Sequence, residues 1–326
     1  MSARPDVVIV IPGDDPAQIQ GSPHLDRLRQ HGEVRLYTNR PATPEEKIAR
    51  ARDAVCLVNT RGAVKWPREA LLALPRLRMA TVCGIGTDSF DLAAASERGI
   101  VVCNIPGKTA PIVAEHAFSL MLAAAKRAHF QTAELKAGRW TRMDNVYLRG
   151  KTLGLVGTGA IGAAMAGLGR AIGMDALAWT FNPSPARAAA LGVRYVALDE
   201  LLRAADVVSV HVRLTPETRG LLGARELALM KPGAILVNTA RGPVVDTDAL
   251  VAALHAGRLG GAALDVFDAE PLPPEHPLLA CNQVILTPHN ADQTPEGMDL
   301  LNAGVVDNVI AFLEGHPQNV VTGAPR

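Results

Sequence analysis

The sequence predicts an α/β protein with two doubly wound domains, each built on a parallel sheet. Two series of short apolar runs alternate with helical patterns, one before residue 105 and the other after residue 150. A long, largely apolar helix pattern separates the two series, and a glycine-rich turn opens the second one. At 326 residues the chain is long for one domain and comfortable for two.

The first series has five strand patterns, each a short run of β-branched or apolar residues. They cover residues 7–11, 34–37, 54–59, 77–83 and 100–104. Helical patterns lie between them at residues 22–31 and 44–52. Thr43 is the predicted N-cap of the second helix, with Glu46 at the capping-box position. This alternation of strands and helices is typical of a parallel sheet.

The second series follows a helix at residues 111–126 that is apolar on almost every side, which indicates a buried helix. The next helix is polar and ends near residues 138–140. Strand patterns lie at residues 153–156, 176–180, 207–211, 234–238, 261–266 and 284–287, with helical patterns at 184–191, 198–203, 224–230 and 246–255. A last amphipathic helix, residues 295–314, comes after the final strand, and its position would allow it to return to the first domain.

The glycine-rich turn has the spacing Gly157-x-Gly159-x-x-Gly162 and lies between a strand and a helix. In this spacing Gly157 permits a tight turn, Gly159 lets a phosphate approach the backbone, and Gly162 allows close packing of the helix on the strand. The N–H groups at the helix start, including those of Ala160 and Ile161, then face the pyrophosphate. The stretch therefore predicts a Rossmann-like dinucleotide-binding domain. A turn in another α/β fold and the glycine-rich loop of a methyltransferase are the alternatives.

The sequence leaves the choice between NAD and NADP open. NAD-binding domains usually end their second strand with Asp or Glu, about 20 residues after the glycines, to bond the ribose 2′-hydroxyl. Here the strand ends with Thr180 and Asn182, which can bond a neutral hydroxyl but do not repel a 2′-phosphate. Arg187 follows, either near such a phosphate or as an ordinary exposed helix residue.

Polar side chains follow three later strands of the second series. Arg241 comes just after one strand, Asp265 ends the next with Glu270 in the loop beyond, and His289 follows the last. Ligands bind at this edge of open α/β sheets. Each residue alone is usually solvated or structural. An arginine, a carboxylate and a histidine downstream of a dinucleotide turn together indicate a hydride-transfer site.

Composition and charge exclude several classes of protein. The net charge is +1 and the basic residues are scattered, which argues against nucleic-acid binding. No apolar stretch reaches the roughly 18 residues that a bilayer span requires, and the N-terminus lacks the apolar core of a signal peptide. We therefore expect a cytoplasmic protein with no membrane partner. The four cysteines are far apart without metal-ligand spacing, so we expect no metal site.

Eight stretches, spread over nearly the whole chain, form an ordered set of motifs. They are Gly84-x-Gly86-x-Asp88, Val113-Ala-Glu115-His116, Gly157-x-Gly159-x-x-Gly162, Leu214-Thr-Pro-Glu-Thr218-Arg-Gly220, Met230-Lys-Pro-Gly-Ala234, Asn238-Thr-Ala-Arg241-Gly242, Ala263-Leu-Asp265-Val-Phe-x-x-Glu270-Pro271 and Thr287-Pro-His289. The set resembles the D-isomer-specific 2-hydroxyacid dehydrogenases. So many matches in one order are highly specific.

The resemblance implies that a cofactor domain is inserted into a substrate domain. Residues 1–103 and 290–326 would form a flavodoxin-like substrate domain, and residues 104–289 the NAD(P)-binding Rossmann domain. The resemblance also implies a homodimer joined through the cofactor domains. The apolar helix at residues 111–125 is compatible with that assembly.

The resemblance further implies hydride transfer between NAD or NADP and a small 2-oxo or D-2-hydroxy acid. His289 would donate the proton to the developing alkoxide, Glu270 would orient the imidazole and favour its charged form, and Arg241 would bind the substrate carboxylate and carbonyl oxygen. Asp265 resembles the residue that meets the nicotinamide. Further cofactor contacts are expected at Gly157, Gly159, Ala160, Ile161, Gly162, Thr180, Asn182, His211, Val212, Thr218, Thr239 and Ala240, and substrate contacts at Arg61, Cys83, Gly84 and Ile85.

Departures from the family pattern leave the identity of the substrate open. Ser89 replaces the usual Asn, Arg213 the usual Pro, and the polar run 290–292 the small residues that usually follow the histidine. Arg213 adds positive charge near the cofactor. A carboxylate at Asp292 would repel an acidic substrate if it faces the pocket. A cofactor-sensing, corepressor-like binding protein and a formate or phosphite dehydrogenase of the same fold are the alternative functions.

Overall fold

Two compact units make up the chain in the computed structural model, which describes residues 6–322. One unit ends at Thr109 and resumes at Gln293, and the other spans Ala110–Asp292. Each contains one sheet of parallel strands and hydrophobic clusters of its own. The predicted α/β class with two parallel sheets is confirmed. The unit boundaries fall a few residues after the expected ones at 103 and 289.

The first unit begins with five strands and four helices that alternate. They are β1 (Val8–Ile11), α1 (His24–Arg29), β2 (Glu33–Leu36), α2 (Pro44–Ala51), β3 (Cys56–Thr60), α3 (Arg68–Leu72), β4 (Met79–Cys83), α4 (Leu92–Glu97) and β5 (Val101–Cys103). The sheet order is β2-β1-β3-β4-β5, the doubly wound order of flavodoxin-like sheets. Helices α3 and α4, of five and six residues, were not predicted.

Thr43 caps α2 as predicted, but Glu46 does not complete a standard capping box. Thr43 Oγ1 accepts the N–H of Glu46 at 3.2 Å, as an N-cap does. The Glu46 carboxylate accepts the N–H of Ala42 at 2.7 Å, one residue before the position of a standard capping box. The helix start is therefore fixed from both sides.

The second unit contains seven strands and seven helices. They are α5 (Ala110–Ala125), α6 (Ala128–Lys136), β6 (Thr152–Val156), α7 (Ala160–Ala171), β7 (Asp175–Trp179), α8 (Pro185–Leu191), β8 (Arg194–Tyr195), α9 (Leu198–Ala204), β9 (Val207–Val210), α10 (Ala224–Leu229), β10 (Ile235–Asn238), α11 (Thr247–His255), β11 (Gly261–Leu264) and β12 (Val284–Leu286). The sheet order is β12-β11-β10-β9-β6-β7-β8. Strand β8 was not predicted because it has only two residues.

The chain order of the second sheet reverses at β6, which pairs with β7 on one side and β9 on the other. A crevice at the carboxyl ends of the strands next to such a reversal is where open α/β sheets bind ligands. Because all strands are parallel, the residues that follow β6, β9, β10, β11 and β12 emerge at that same edge. The fold thus gathers segments that are far apart in sequence.

The last helix, α12 (Pro295–Leu313), packs on the sheet of the first unit. Its Asn308 is fully buried and donates to Thr81 Oγ1 at 3.2 Å and to the carbonyl of Asn104 at 2.9 Å. A Cβ at Gly304 would lie 3.0 Å from Ile105 Cδ1, so glycine lets the helix approach closely. Within residues 6–322 we find no helix with the length and apolar character needed to cross a membrane.

Candidate active site

The glycine-rich turn joins β6 to α7, and the structure explains the glycine at each of its three positions differently. Gly157 has a φ of +99°, and a Cβ there would lie 2.9 Å from Val212 Cγ1. A Cβ at Gly162 would overlap the carbonyl oxygen of Gly157. A Cβ at Gly159 would meet nothing within 4 Å, and this residue is exposed. The turn is therefore closely packed at both ends and open at its middle glycine.

The open glycine is also the N-cap of α7. The Gly159 carbonyl accepts the N–H of Ala163 at 2.9 Å, so the helix proper begins at Ala160. The N–H groups of Ala160, Ile161 and Gly162 precede the first intrahelical bond and lie at the positive end of the helix dipole. A helix N-terminus with free N–H groups, next to an exposed glycine, is suited to bind a pyrophosphate.

The loop after β9 lies against the glycine-rich turn. His211 donates its N–H to the carbonyl of Val156 at 2.8 Å, and its Nε2 lies 2.9 Å from Ser209 Oγ. Burial lowers the pKa of His211 to about 4, so its ring is neutral at physiological pH. Thr218 is buried, and its hydroxyl donates to the carbonyl of Arg213 at 2.6 Å. The Thr218 hydroxyl thereby closes the turn at residues 213–218.

Arg241 follows β10 in a turn that Asn238 holds in place. The Asn238 side chain donates to the carbonyl of Arg241 at 3.0 Å and accepts the N–H of Ala240 at 3.0 Å. Nη1 of Arg241 donates to the carbonyl of Ala240 at 2.7 Å. Thr239 is buried, and its Oγ1 has no hydrogen-bond partner within the described residues. A buried hydroxyl without a partner at this edge fits a site that a bound group completes.

His289 and Glu270 form a hydrogen-bonded pair at the same edge of the sheet. His289 Nδ1 lies 2.7 Å from Glu270 Oε2, and Glu270 Oε1 accepts the N–H of Phe267 at 3.0 Å. Burial raises the pKa of Glu270, but the hydrogen bonds from His289 and Phe267 and the charges of His289 and Arg241 outweigh it, and the pKa lies below its ordinary value. Glu270 is therefore a carboxylate at neutral pH, and Arg241 is close enough to influence it.

A model of the D-isomer specific 2-hydroxyacid dehydrogenase NAD-binding domain matches residues 118–291. The chain belongs to the D-isomer specific 2-hydroxyacid dehydrogenases. It is 39% identical over 308 residues to a glyoxylate reductase of Aeropyrum pernix, covering 91% of this chain and 92% of that one. The predicted resemblance is therefore confirmed, and the cofactor of this family member is NAD or NADP.

Solved structures give the same family relationship. An NADPH-dependent glyoxylate/hydroxypyruvate reductase from Sinorhizobium meliloti, in complex with NADP and malonate, has a TM-score of 0.86 and 32% identity, covering 98% of each chain. A D-lactate dehydrogenase from Aquifex aeolicus, complexed with NAD and lactic acid, has a TM-score of 0.86 and 30% identity, covering 97% of this chain and 99% of that one. The two relatives thus hold different cofactors.

In this 2-hydroxyacid dehydrogenase Asp265 is fully buried and engaged with the loop that carries His289. Its carboxylate accepts hydrogen bonds from Thr287 Oγ1 at 2.6 Å and from the N–H groups of Asn290 and Ala291 at 3.0 and 3.1 Å. Burial raises the pKa of Asp265, but these bonds and that of His116 outweigh it and lower the pKa. The geometry gives Asp265 a role in shaping residues 287–291. Its contact with the nicotinamide stays a prediction.

His116 joins this network, and sequence reasoning assigned it no role. Its Nε2 lies 3.4 Å from Asp265 Oδ1 and 3.2 Å from Thr287 Oγ1. The motif Val113-Ala-Glu115-His116 marked the position, but α5 and β12 are far apart in sequence, and only the fold brings them together. His116 thus supports the histidine loop of the dehydrogenase from a different element.

The expected substrate contacts of the other unit follow two paired strands. Thr60 of β3 and Cys83 of β4 are register partners, so Arg61 and Gly84 are the next residues on neighbouring strands. Arg61 has a φ of +52°, and its Nη1 donates to Gln18 Oε1 at 3.1 Å. The N–H of Gly84 donates to the carbonyl of Val82 at 3.0 Å. Arg61 and the peptide of Ile85 are therefore the better candidates to bind an anion.

Cys83 and Ser89 have structural roles in this family member. The Cys83 side chain is buried in a hydrophobic cluster of the first unit, so a substrate contact at Cys83 would have to come from its backbone, and that contact stays a prediction. Alternation along β4 turns this side chain toward the core. Ser89 is buried as well, and its hydroxyl accepts from Asn59 Nδ2 at 3.1 Å. Within the described residues no group of three His, Cys, Asp or Glu side chains is placed to hold a metal ion.

Proposed function

We propose that this protein transfers a hydride between NAD(P)H and C2 of a small 2-oxo acid to give the D-2-hydroxy acid. The observation that carries the proposal is the His289–Glu270 pair, at 2.7 Å, which shares a sheet edge with Arg241. The glycine-rich turn, the open N-terminus of α7 and the partnerless hydroxyl of Thr239 belong to the same unit. When bound there, the reduced nicotinamide supplies the hydride.

His289 is the proposed proton donor in reduction and the base in oxidation. Its Nδ1 is engaged with Glu270, so Nε2 is the ring nitrogen that would exchange the proton with the substrate oxygen. The negative charge of Glu270 stabilises the imidazolium and fixes the ring orientation. General acid–base groups of this kind contribute about 10²–10⁴-fold to the rate.

Arg241 is the proposed ligand of the substrate carboxylate and carbonyl oxygen. Its guanidinium offers a rigid fork that matches a carboxylate, and its charge favours the developing alkoxide. Asn238 fixes its backbone through the bond to the Arg241 carbonyl at 3.0 Å. Arg241 would therefore act in the reaction step as well as in binding.

Glyoxylate and hydroxypyruvate are the proposed substrates. One relative is a glyoxylate reductase of 39% identity, and the solved reductase from Sinorhizobium meliloti is named for both compounds. The test is a panel of 2-oxo acids with NADH and with NADPH, followed by the absorbance of the reduced nicotinamide. Turnover with one of these two acids supports the proposal. Turnover with formate or phosphite alone, or with no compound of the panel, contradicts it.

The two units have different proposed roles. The unit Ala110–Asp292 contains every proposed cofactor contact and the whole of the NAD-binding domain match, so it is the proposed cofactor domain. The other unit would contribute substrate contacts through Arg61 and the N–H of Ile85, next to Gly84. A substrate analogue that protects Arg61 from modification by phenylglyoxal would support this assignment.

A homodimer through the cofactor unit is also proposed, on different residues from those expected. Helix α5 buries much of its apolar surface within its own unit, which leaves little of it for a partner. Leu135, Trp140 and Tyr147 instead remain 54%, 83% and 68% exposed in and after α6. Exposed apolar side chains close in sequence favour an interface. Light scattering after gel filtration should give twice the 34.4 kDa chain mass, and a monomer mass would contradict the proposal.

A further inference from the structure

Helix α8, which follows β7 in the cofactor unit, carries an arginine that is fixed against the glycine-rich turn. Nε of Arg187 donates to the carbonyl oxygen of Thr158 at 3.1 Å, and Nη2 donates to the same oxygen. Thr158 is buried, and its hydroxyl lies 2.8 Å from the Tyr195 hydroxyl. The Arg187 guanidinium is therefore held beside the middle of the Gly157–Gly162 turn, although the residue itself is exposed.

The charged side chains near Arg187 are all basic. Between residues 176 and 198 the only charged side chains are Arg187 and Arg194. Arg194 already pairs with Glu200 at 3.0 Å. Within residues 6–322 no carboxylate oxygen lies within 4.0 Å of the Arg187 guanidinium. An anion that approached this corner would meet a positive charge that no acidic side chain neutralises.

The strand end lacks the group that selects NAD. A carboxylate there bonds the ribose 2′-hydroxyl and repels a 2′-phosphate. Here Thr180 and Asn182 are neutral, and Asn182 is exposed. Phe181 between them is 56% exposed and packs edge-to-face on Trp179, with 4.9 Å between ring centroids. The site thus offers hydroxyl, amide and apolar surface next to one arginine.

We propose that Arg187 binds the 2′-phosphate of NADP(H), and that this protein prefers NADPH to NADH. This inference rests on the proposed dinucleotide function and adds the identity of the cofactor, which the solved relatives leave open because one holds NADP and the other NAD. A guanidinium has five N–H donors. Arg187 uses two of them on the Thr158 carbonyl, which leaves donors for a phosphate dianion, a far stronger acceptor than a neutral carbonyl.

The test is equilibrium binding followed by the fluorescence of the reduced nicotinamide, with no substrate present. Wild-type protein should bind NADPH at least about tenfold more tightly than NADH. Arg187→Ala should weaken NADPH binding about tenfold or more while changing the Kd for NADH by less than about twofold. Arg194→Ala removes a neighbouring arginine that is already paired and should leave both affinities unchanged. Thr180→Asp, which leaves Arg187 in place, should weaken NADPH binding selectively.

The cofactor preference and the hydride-transfer function are overturned by different results. Equal or tighter binding of NADH by the wild-type protein overturns the cofactor preference and leaves the hydride-transfer function intact. A parallel loss of both affinities in Arg187→Ala shows that Arg187 only supports the turn, and overturns its role toward the phosphate. Failure of the wild-type protein to bind either dinucleotide overturns both proposals. Competition by 2′,5′-ADP, but not by 5′-AMP, would support the phosphate contact without reference to the nicotinamide.

Discussion

His289 Nδ1 lies 2.7 Å from Glu270 Oε2, and the other oxygen of that carboxylate accepts the N–H of Phe267 at 3.0 Å. The carboxylate is therefore fixed by the backbone on one side and holds the imidazole on the other. This arrangement sets the ring orientation, and with it the nitrogen that would exchange a proton. An acid–base pair of this kind requires both the charge and the fixed position of its carboxylate.

Substitution of either member of this pair should reduce turnover far more than cofactor binding. His289→Asn and Glu270→Gln should each lower kcat by about 10²–10⁴-fold, because the proton donor or the charge that supports it is lost. The Kd for the reduced cofactor should change little. Steady-state kinetics and fluorescence titration measure the two quantities separately. Unchanged kcat in His289→Asn would remove His289 from the chemistry.

Alanine at Gly159 should weaken dinucleotide binding, whereas alanine at Gly162 should lower the stability of the unit. Gly159→Ala should leave the thermal midpoint near that of the wild type, since a Cβ there meets nothing within 4 Å, but should weaken dinucleotide binding about tenfold. Gly162→Ala should destabilise the unit, because its Cβ would overlap the Gly157 carbonyl. Gly167→Ala, in the same helix and also without neighbours within 4 Å, is the matched control: it should leave dinucleotide binding unchanged and raise the thermal midpoint slightly, because alanine favours a helix interior over glycine. Wild-type affinity in Gly159→Ala would argue against a phosphate at this glycine.

His211 should make stability depend on pH in mildly acidic solution. Burial lowers its pKa from 6.5 to about 4, so the unfolded chain binds a proton more readily than the folded one. The stabilising contribution is complete above the unfolded pKa of 6.5 and is lost as the pH falls toward about 4. His211→Gln should flatten the fall of the thermal midpoint in this range. The exposed His316→Gln should keep the wild-type slope, and an equal slope in all three proteins would contradict the assignment.

Gln18 should act as a positioning residue for Arg61. Its Oε1 accepts from Arg61 Nη1 at 3.1 Å, while Asn302 holds Gln18 through two hydrogen bonds of 3.0 Å. If Arg61 binds the substrate carboxylate, Arg61→Ala should raise KM for the 2-oxo acid about tenfold with a smaller effect on kcat. Gln18→Met should raise KM in the same direction but less. A Gln18→Met protein with wild-type KM would show that Arg61 does not depend on this contact.

The elements that were predicted correctly are those with a strong local sequence pattern. Strands such as β6 and β9 are largely apolar runs, and the glycine spacing located the start of α7, so these elements were predicted. Strand β8 and helix α3 were missed because two and five residues carry too little periodicity. Helix α4 was also missed, although α1, of the same length, was predicted. Short elements of this kind are stabilised by the neighbours on which they pack.

Some residues of the candidate site could be predicted from local sequence patterns, and others could not. Arg241, Glu270 and His289 could be proposed from the sequence because each lies in a segment that follows a recognisable strand, and the edge of a parallel sheet brings such segments together. The Asp265–His116 contact and the support of Arg61 by Gln18 join segments that are distant in sequence, so no local pattern reports them. The inward orientation of the Cys83 side chain depends on the register of β4, which the motif alone does not define.

The most direct test of hydride transfer is to follow the label from reduced cofactor that carries deuterium at both hydrogen positions of the nicotinamide C4. Wild-type protein incubated with glyoxylate or hydroxypyruvate should give a 2-hydroxy acid that carries deuterium at C2, of D configuration when the substrate is hydroxypyruvate. Mass spectrometry and chiral chromatography of the product measure both properties. His289→Asn should form the same labelled product at least about 10²-fold more slowly. A product without deuterium at C2, or no product from either acid while the protein binds the cofactor, would contradict the proposed reaction.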